Sequence, residues 1–236
     1  MHKLTSVAGA GIVALALGIV LAGCGSNSST EDASSSTVSS AQGETAQGET
    51  SVAAEPTDPA APSGQQQTIQ DYITENGIQE VAVKPGDPGS PTVNLPVPAG
   101  WQHRTDLPEA PYGAFFFPGS AEPNNPPRIM ALMSKLTGDV DPAKVLEYAP
   151  GELRNMPGYR PMNRGTPAKQ GAFDAFLISG MYLIDGREGI IAQKTVVIPA
   201  NDAVYVLQLN AYAAEAEAPI LGEATRVIDE QTTISV

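Results

Sequence analysis

Apolar residues in this chain are grouped in three very different ways: one continuous run near the start, a long stretch with almost none, and then a series of short periodic segments from Thr68 onward. The periodic part is the one that predicts structure. Thr68 reads as a helix cap, Ile69, Tyr72 and Ile73 as its inward face, and Asn76-Gly77 as its stop. Residues 84–90 form a Pro/Gly loop, and residues 92–97 alternate like a strand that ends in a turn before Trp101. Residues 114–117 and 128–136 read as two strands joined by the polar, Pro-rich loop 119–127. A helix is predicted over 139–154, capped by Asp141, with Pro142 at its first position, Val145, Leu146 and Leu153 facing inward, and a break or kink at Pro150-Gly151.

From Arg160 the alternation is that of an antiparallel meander. Strands are predicted at 160–167, 171–182, 188–198 and 203–211, with turns at Asp185-Gly186 and Asn201-Asp202. The last periodic segment, 217–231, places Ile220, Leu221, Ala224, Val227 and Ile228 on one helical face. Hairpin-joined strands outnumbering helices predict an α+β domain, residues 68–236, with a largely antiparallel sheet and helices packed against it. Such a covered, curved sheet is a common container for apolar ligands.

The continuous apolar run, residues 7–22, follows Lys3 and closes on Leu21-Ala22-Gly23-Cys24. It is shorter than the roughly 20 residues of a spanning helix and contains several glycines, so it reads as a signal peptide, residues 1–23, ending in a lipobox. Cys24 is the single cysteine of the chain and becomes the site of lipidation, with membrane anchoring as the expected result. Residues 24–67, built from Ser, Thr, Gly, Ala, Gln, Glu and Pro with the repeated Ala-Gln-Gly-Glu-Thr of 41–45 and 46–50, read as a disordered tether that cannot form a core. Flexible-chain scaling puts the domain about 35–40 Å from its anchor. The expected place is the extracytoplasmic face of the cell membrane, with partial release to the wall or medium.

Charge narrows the function. The chain carries 13 basic against 26 acidic side chains, and removal of Lys3 with the leader takes the formal charge from −13 to −14. That excludes nucleic acid as a partner and disfavours electrostatic docking on anionic lipid. Catalysis has little to work with: beyond the leader His103 is the one histidine, Asp106 beside it is common loop chemistry, and no Gly-x-Ser-x-Gly elbow exists. Asp139 and Asp141 fit helix capping better than metal ligation, so neither a metal nor a cofactor is expected.

The chemistry that stands out is apolar. Aromatic and Met side chains concentrate on adjacent predicted strands, and alternation assigns Phe116, Met130 and Leu132 to one face and Phe115, Phe117 and Met133 to the other. Trp101, Phe116, Met130, Leu132, Met133, Phe176 and Tyr182 are the candidate ligand-lining residues. Arg154, Arg160 and Arg164 form a basic concentration suited to a sugar headgroup or a partner's carboxylates.

The lipobox, the Ser/Thr-rich tether, Thr68-Ile69-Gln70-Asp71-Tyr72-Ile73, Leu95-Pro96-Val97-Pro98-Ala99-Gly100-Trp101 and Tyr205-Val206-Leu207-Gln208-Leu209, in this order, resemble the LpqN/LpqT lipoproteins of mycobacteria and related actinobacteria. The resemblance implies a PsbP-like α/β/α sandwich and a non-enzymatic role in envelope biogenesis, in the handling of trehalose glycolipids and mycolate export. The expectation is therefore a lipoprotein that binds or relays an amphiphilic lipid. The alternative is an accessory protein docking on an envelope transporter or another secreted protein, and a third, weaker class is a hydrolase using His103.

Overall fold

The computed structural model describes residues 64–184 and 187–236. The predicted leader, Cys24, the tether up to residue 63 and the Asp185-Gly186 turn lie outside the described residues. The elements in chain order are α1 (Ile69–Glu75), β1 (Gln79–Ala82), β2 (Thr92–Asn94), β3 (Gln102–Arg104), β4 (Gly113–Phe116), β5 (Arg128–Thr137), α2 (Pro142–Tyr148) and α3 (Gly151–Asn155). Then come β6 (Arg160–Pro161), β7 (Thr166–Gln170), β8 (Phe173–Ile184), β9 (Arg187–Ala200), β10 (Ala203–Ala214), a 3-10 turn (Glu215–Glu217), α4 (Ala218–Gln231) and β11 (Thr233–Ser235).

Local chemistry sets the helix ends. Thr68 Oγ1 accepts from Asp71 N at 3.1 Å while the Asp71 carboxylate accepts from Thr68 N at 2.9 Å, a reciprocal box that also holds the Asp71 carboxyl below its ordinary pKa. Asp141 caps α2 through Ala143 N at 2.8 Å, with Pro142 at the first position. The predicted 139–154 helix is two helices, because Pro150 cannot continue the α2 hydrogen-bond ladder and Gly151 restarts it. The Tyr72 hydroxyl accepts from Asp141 N at 2.9 Å and so locks α1 to the start of α2. Tyr72→Phe is expected to cost about 1 kcal/mol, seen as a lower urea midpoint with an unchanged slope.

Nine strands among the described residues form one antiparallel sheet, in the order β3-β4-β5-β10-β9-β8-β6, with β1 also paired to β5 and β7 to β8. β2 and β11 make a separate two-stranded ribbon. The stretch 160–167, which alternates like a single strand, is split into β6 and β7: Gly165 adopts φ +80° and donates its N–H to the Asn163 side chain at 2.9 Å, turning the chain between them. β1, β3 and β11 carry no periodic signal of their own; β1 and β11 exist through pairing with distant partners and β3 through pairing with the next strand, β4.

β10 is buried along nearly its whole length, as expected of a central strand covered on both faces. On one face, Ile129, Met133, Val196, Leu207 and Leu209 pack with Trp101, Phe115 and the α4 residues Leu221, Ala224 and Ile228. On the other, α1 and α2 bring Ile69, Tyr72, Ile73 and Val145 onto Leu136, Val197 and Val206. Leu153 of α3 and Tyr159 cover Ile178, Tyr182, Ile191 and Tyr212 of that same face. The protein is an α/β/α sandwich, the arrangement that the family resemblance implies.

Candidate functional site

Strand register decides which side chains share a face, because partners directly opposite in an antiparallel pair point the same way. On the α4 face two adjacent rows run across the sheet: Leu177–Lys194–Leu209–Ala131, and Ser179–Ala192–Ala211–Ile129. The second row is mostly small, so the sheet surface is depressed there. The result is a groove of about 150 Å³, floored by these rows and walled by Thr225, Ile228 and Asp229 of α4.

A buried cation stands at one end of the groove. Lys194 is 6% exposed, and its ammonium donates to Asp229 Oδ1 at 3.0 Å and to Gln170 Oε1 at 2.9 Å. Gln170 in turn donates to the carbonyls of Asp229, at 3.0 Å, and Thr232, at 3.3 Å. An ammonium so deep would be costly alone; here every interaction also fastens the end of α4 to the sheet. The floor of the groove is thus apolar except at Lys194, which meets Asp229 of the α4 wall.

The opposite face has a different character. Rows Leu132–Gln208–Thr195–Phe176 and Met130–Asn210–Gln193–Ile178 place four polar side chains at the centre of an otherwise apolar layer. Glu152 of α3 comes down on them. Gln193 Nε2 lies 3.2 Å from Glu152 Oε2 and 2.9 Å from Asn210 Oδ1, and Gln208 Nε2 lies 3.5 Å from the same carboxylate oxygen. Burial pushes the Glu152 carboxyl up to about 7, with the nearby Glu80 charge adding to the effect. The residue as a whole is half-buried, but its Oε1 is shielded from solvent. Burial likewise raises Glu80, although Ser134 hydrogen-bonds it. Glu152 Oε1, Gln193 Oε1, Gln208 Oε1 and Thr195 Oγ1 are buried and unpartnered among the described residues, at a cost of about 1–3 kcal/mol each.

The candidates named from sequence are distributed over both faces. Phe116, Met130, Leu132, Phe176 and Tyr182 lie on the α1–α3 side, where Met130 and Leu132 flank the polar centre and Tyr182 packs edge-on against Tyr212. Met133 and Trp101 fill the core on the α4 side, Trp101 against Phe117 with ring centroids 5.9 Å apart. Of the three arginines, Arg160 pairs with Glu188, and Arg154 donates to the backbone carbonyl of Arg164 at 2.7 Å, which brings those two residues together. His103 stacks on Phe115 at 4.7 Å between centroids, while Asp106 is engaged by Arg104 at 2.7 and 3.0 Å. Among the described residues no carboxylate or hydroxyl hydrogen-bonds His103, and no three His, Cys, Asp or Glu side chains gather as metal ligands.

Sequence reading passed over Lys194, Asp229, Glu152, Gln193, Gln208 and Asn210. The signal was present as Gln193-Lys194-Thr195 in the middle of a strand and Gln208 and Asn210 in the next one, polar residues where a core strand should be apolar.

The chain is 50% identical over 226 residues to Lipoprotein LpqN of Mycobacterium tuberculosis (strain ATCC 25618 / H37Rv), covering 96% of this chain and 97% of that one. The crystal structure of LpqN involved in cell envelope biogenesis of Mycobacterium tuberculosis superposes with a TM-score of 0.72 at 52% identity, over 73% of this chain and all of the solved one. The family model described as "Probable lipoprotein LpqN" matches residues 65–235, and the chain belongs to that family of lipoproteins.

Proposed function

We propose that this protein is a cell-envelope lipoprotein, processed before Cys24 and anchored through it, whose domain holds and relays an amphiphilic lipid of the trehalose-glycolipid type during envelope biogenesis. The observation that carries the reading is the α4-side groove, a small gap between α4 and a largely apolar floor that includes the Lys194–Asp229 ion pair. Its shape suits an alkyl segment on the floor and hydroxyls or carbonyls at the ion pair. Its size sets what it does with them. About 150 Å³ matches an engineered cavity that takes up benzene and falls below the roughly 300 Å³ of sites that enclose a whole drug-sized ligand. One short segment of a long chain fits, so the lipid is held near its headgroup and the rest stays available to a membrane or an acceptor, which suits relay better than storage. Among the described residues the large exposed apolar side chains, Val81, Val97, Met162, Leu183 and Val236, belong to five separate segments of the chain.

The test is native mass spectrometry of residues 64–236, which contain the 65–235 matched by the family model, purified from its own host and titrated with a short-chain trehalose monoester. Stoichiometric uptake is expected, and Ala192→Leu, which fills the small-residue row, is expected to weaken it at least about tenfold, or about 1.4 kcal/mol. A clean unliganded mass with no uptake would sink the reading and redirect the search to protein partners.

A further inference from the structure

The two halves of α4 are fastened to the molecule in different ways. At the start of the helix the buried Glu217 carboxylate accepts from the Ser120 hydroxyl at 2.8 Å and from Ala121 N at 2.9 Å, and Leu221 and Ala224 sit in the core. Beyond Ala224 the one fully buried apolar side chain of the helix is Ile228. What otherwise holds this end down is polar, namely Lys194 and Gln170 reaching Asp229 and Thr232. Apolar side chains of similar volume would fix a helix end at least as firmly, whereas a buried ion pair can be exchanged for other partners. The Asp229 side chain keeps 39% of its surface exposed and can leave Lys194 for water at little cost. The Thr232 hydroxyl oxygen is buried without a partner among the described residues, so the closed position is not fully satisfied either.

A weak point separates the two halves. Gly222 is exposed and a Cβ placed on it would meet nothing within 4 Å, so no close approach calls for glycine there, although glycine lowers helix stability. The Thr225 hydroxyl donates to the Gly222 carbonyl at 3.0 Å, a side-chain bond of the kind that loosens and bends a helix. Past this point the helix is braced. Arg226 pairs with Glu223 and with Glu230, both at 2.6 Å, which favours residues 223–231 moving as one piece. The chain then enters β11, which pairs with β2 in a ribbon separate from the main sheet, so among the described residues no strand ladder ties this end to the sheet.

We infer that residues 223–231 of α4 are a lid over the groove, pivoting at Gly222 and latched shut by Asp229 on Lys194 and Gln170. Thr225, Ile228 and Asp229 are the α4 wall of the groove, so raising this segment opens it. The role of the lid rests on the reading of the groove as a lipid site, because a relay must both admit an alkyl segment and release it. As Asp229 departs, one N–H of Lys194 is freed under cover of the sheet, and an ester carbonyl of the entering lipid is the acceptor that replaces the carboxylate.

Methyl relaxation dispersion on residues 64–236 measures the lid without any lipid present. Exchange is expected at the methyls of Ile228, Leu177 and Leu209, with one shared rate, and not at Ile69, Ile73 and Val145 across the sheet. Asp229→Ala, which breaks the latch, is expected to raise the open population at least tenfold. Replacing both partners by apolar residues, Lys194→Met with Asp229→Leu, is expected to lower it at least tenfold. Gly222→Ala, for which there is room, is expected to lower it at least threefold. The inference is overturned if neither the unaltered protein nor Asp229→Ala shows exchange in the groove, if exchange spreads equally over both faces, or if the apolar pair or Gly222→Ala leaves the open population unchanged. A protein that shows this exchange and its response to the variants but takes up no trehalose monoester keeps the lid and loses the lipid reading; one that takes up the monoester without such exchange keeps the lipid reading and loses the lid.

Discussion

Gly151→Ala is expected to destabilise the protein by about 2–3 kcal/mol, through a clash of backbone against backbone. A Cβ on Gly151 would fall on the Gln67 carbonyl oxygen, 2.9 Å from the Gln67 carbonyl carbon and 3.1 Å from Thr68 Cα. Neither side can yield. The chain leading into α1 is strapped across the start of α3, where Asn155 donates to Gln66 O and accepts from Gln66 N, both at 2.7 Å. In a free helix the same change would stabilise by about 1 kcal/mol, so the sign separates the two effects. For a domain of this size the loss corresponds to a fall in Tm of roughly 5–10 °C. A Tm equal to or above that of the unaltered protein would show that the strap moves aside freely.

Glu152→Gln is expected to remove a pH dependence of stability between about 4.5 and 7. The ordinary value for Glu152 is 4.5 and burial raises it to about 7 in the folded protein. In that interval the folded chain holds a proton that the unfolded chain has lost, so stability is fully present below 4.5 and declines as pH rises through 7. The difference, 2.5 pH units at about 1.4 kcal/mol each, sets an upper bound of about 3.5 kcal/mol. Glu80, raised by the same cause, acts in the same direction. Asp71, Asp106 and Glu223, whose carboxyls are lowered by hydrogen bonds, act oppositely and lose their contribution as pH falls through their folded values, below this window. Urea unfolding at pH 5 and pH 7.5 measures the change: the unaltered protein should lose stability over this span and Glu152→Gln should lose much less. Parallel behaviour of the two would mean that Glu152 is ionised and adequately solvated beneath α3.

These two neighbouring residues show how differently the sequence exposes its consequences. Pro150-Gly151 was legible as a break in a helix, because proline's missing N–H and glycine's poor propensity act within a few residues. That Gly151 is also the point where Gln67 crosses could not be read, since 84 positions separate the two and no local pattern marks a crossing. Glu152 carries no local signal, being one more acid near the end of the predicted 139–154 helix. Its raised carboxyl depends on burial against strands that register brings under it and on the Glu80 charge, with the Gln193 and Gln208 amides opposing the shift.

The sequence by itself determined the architecture and the kind of protein. Apolar period distinguished helices from strands, caps and turns bounded most of them, and alternation correctly put Phe116, Met130 and Leu132 on one face of the sheet and Phe115 and Met133 on the other. Only the tertiary structure decided where the molecule keeps open space and buried polarity. Sequence identifies residues that avoid water; it does not say which will fill the core, as Trp101 and Met133 do, and which will border a gap. That depends on register: one row of Ser179, Ala192 and Ala211 makes the groove, and two rows of amides make the polar centre. A row is assembled from strands far apart along the chain, so it exists only after the sheet has formed.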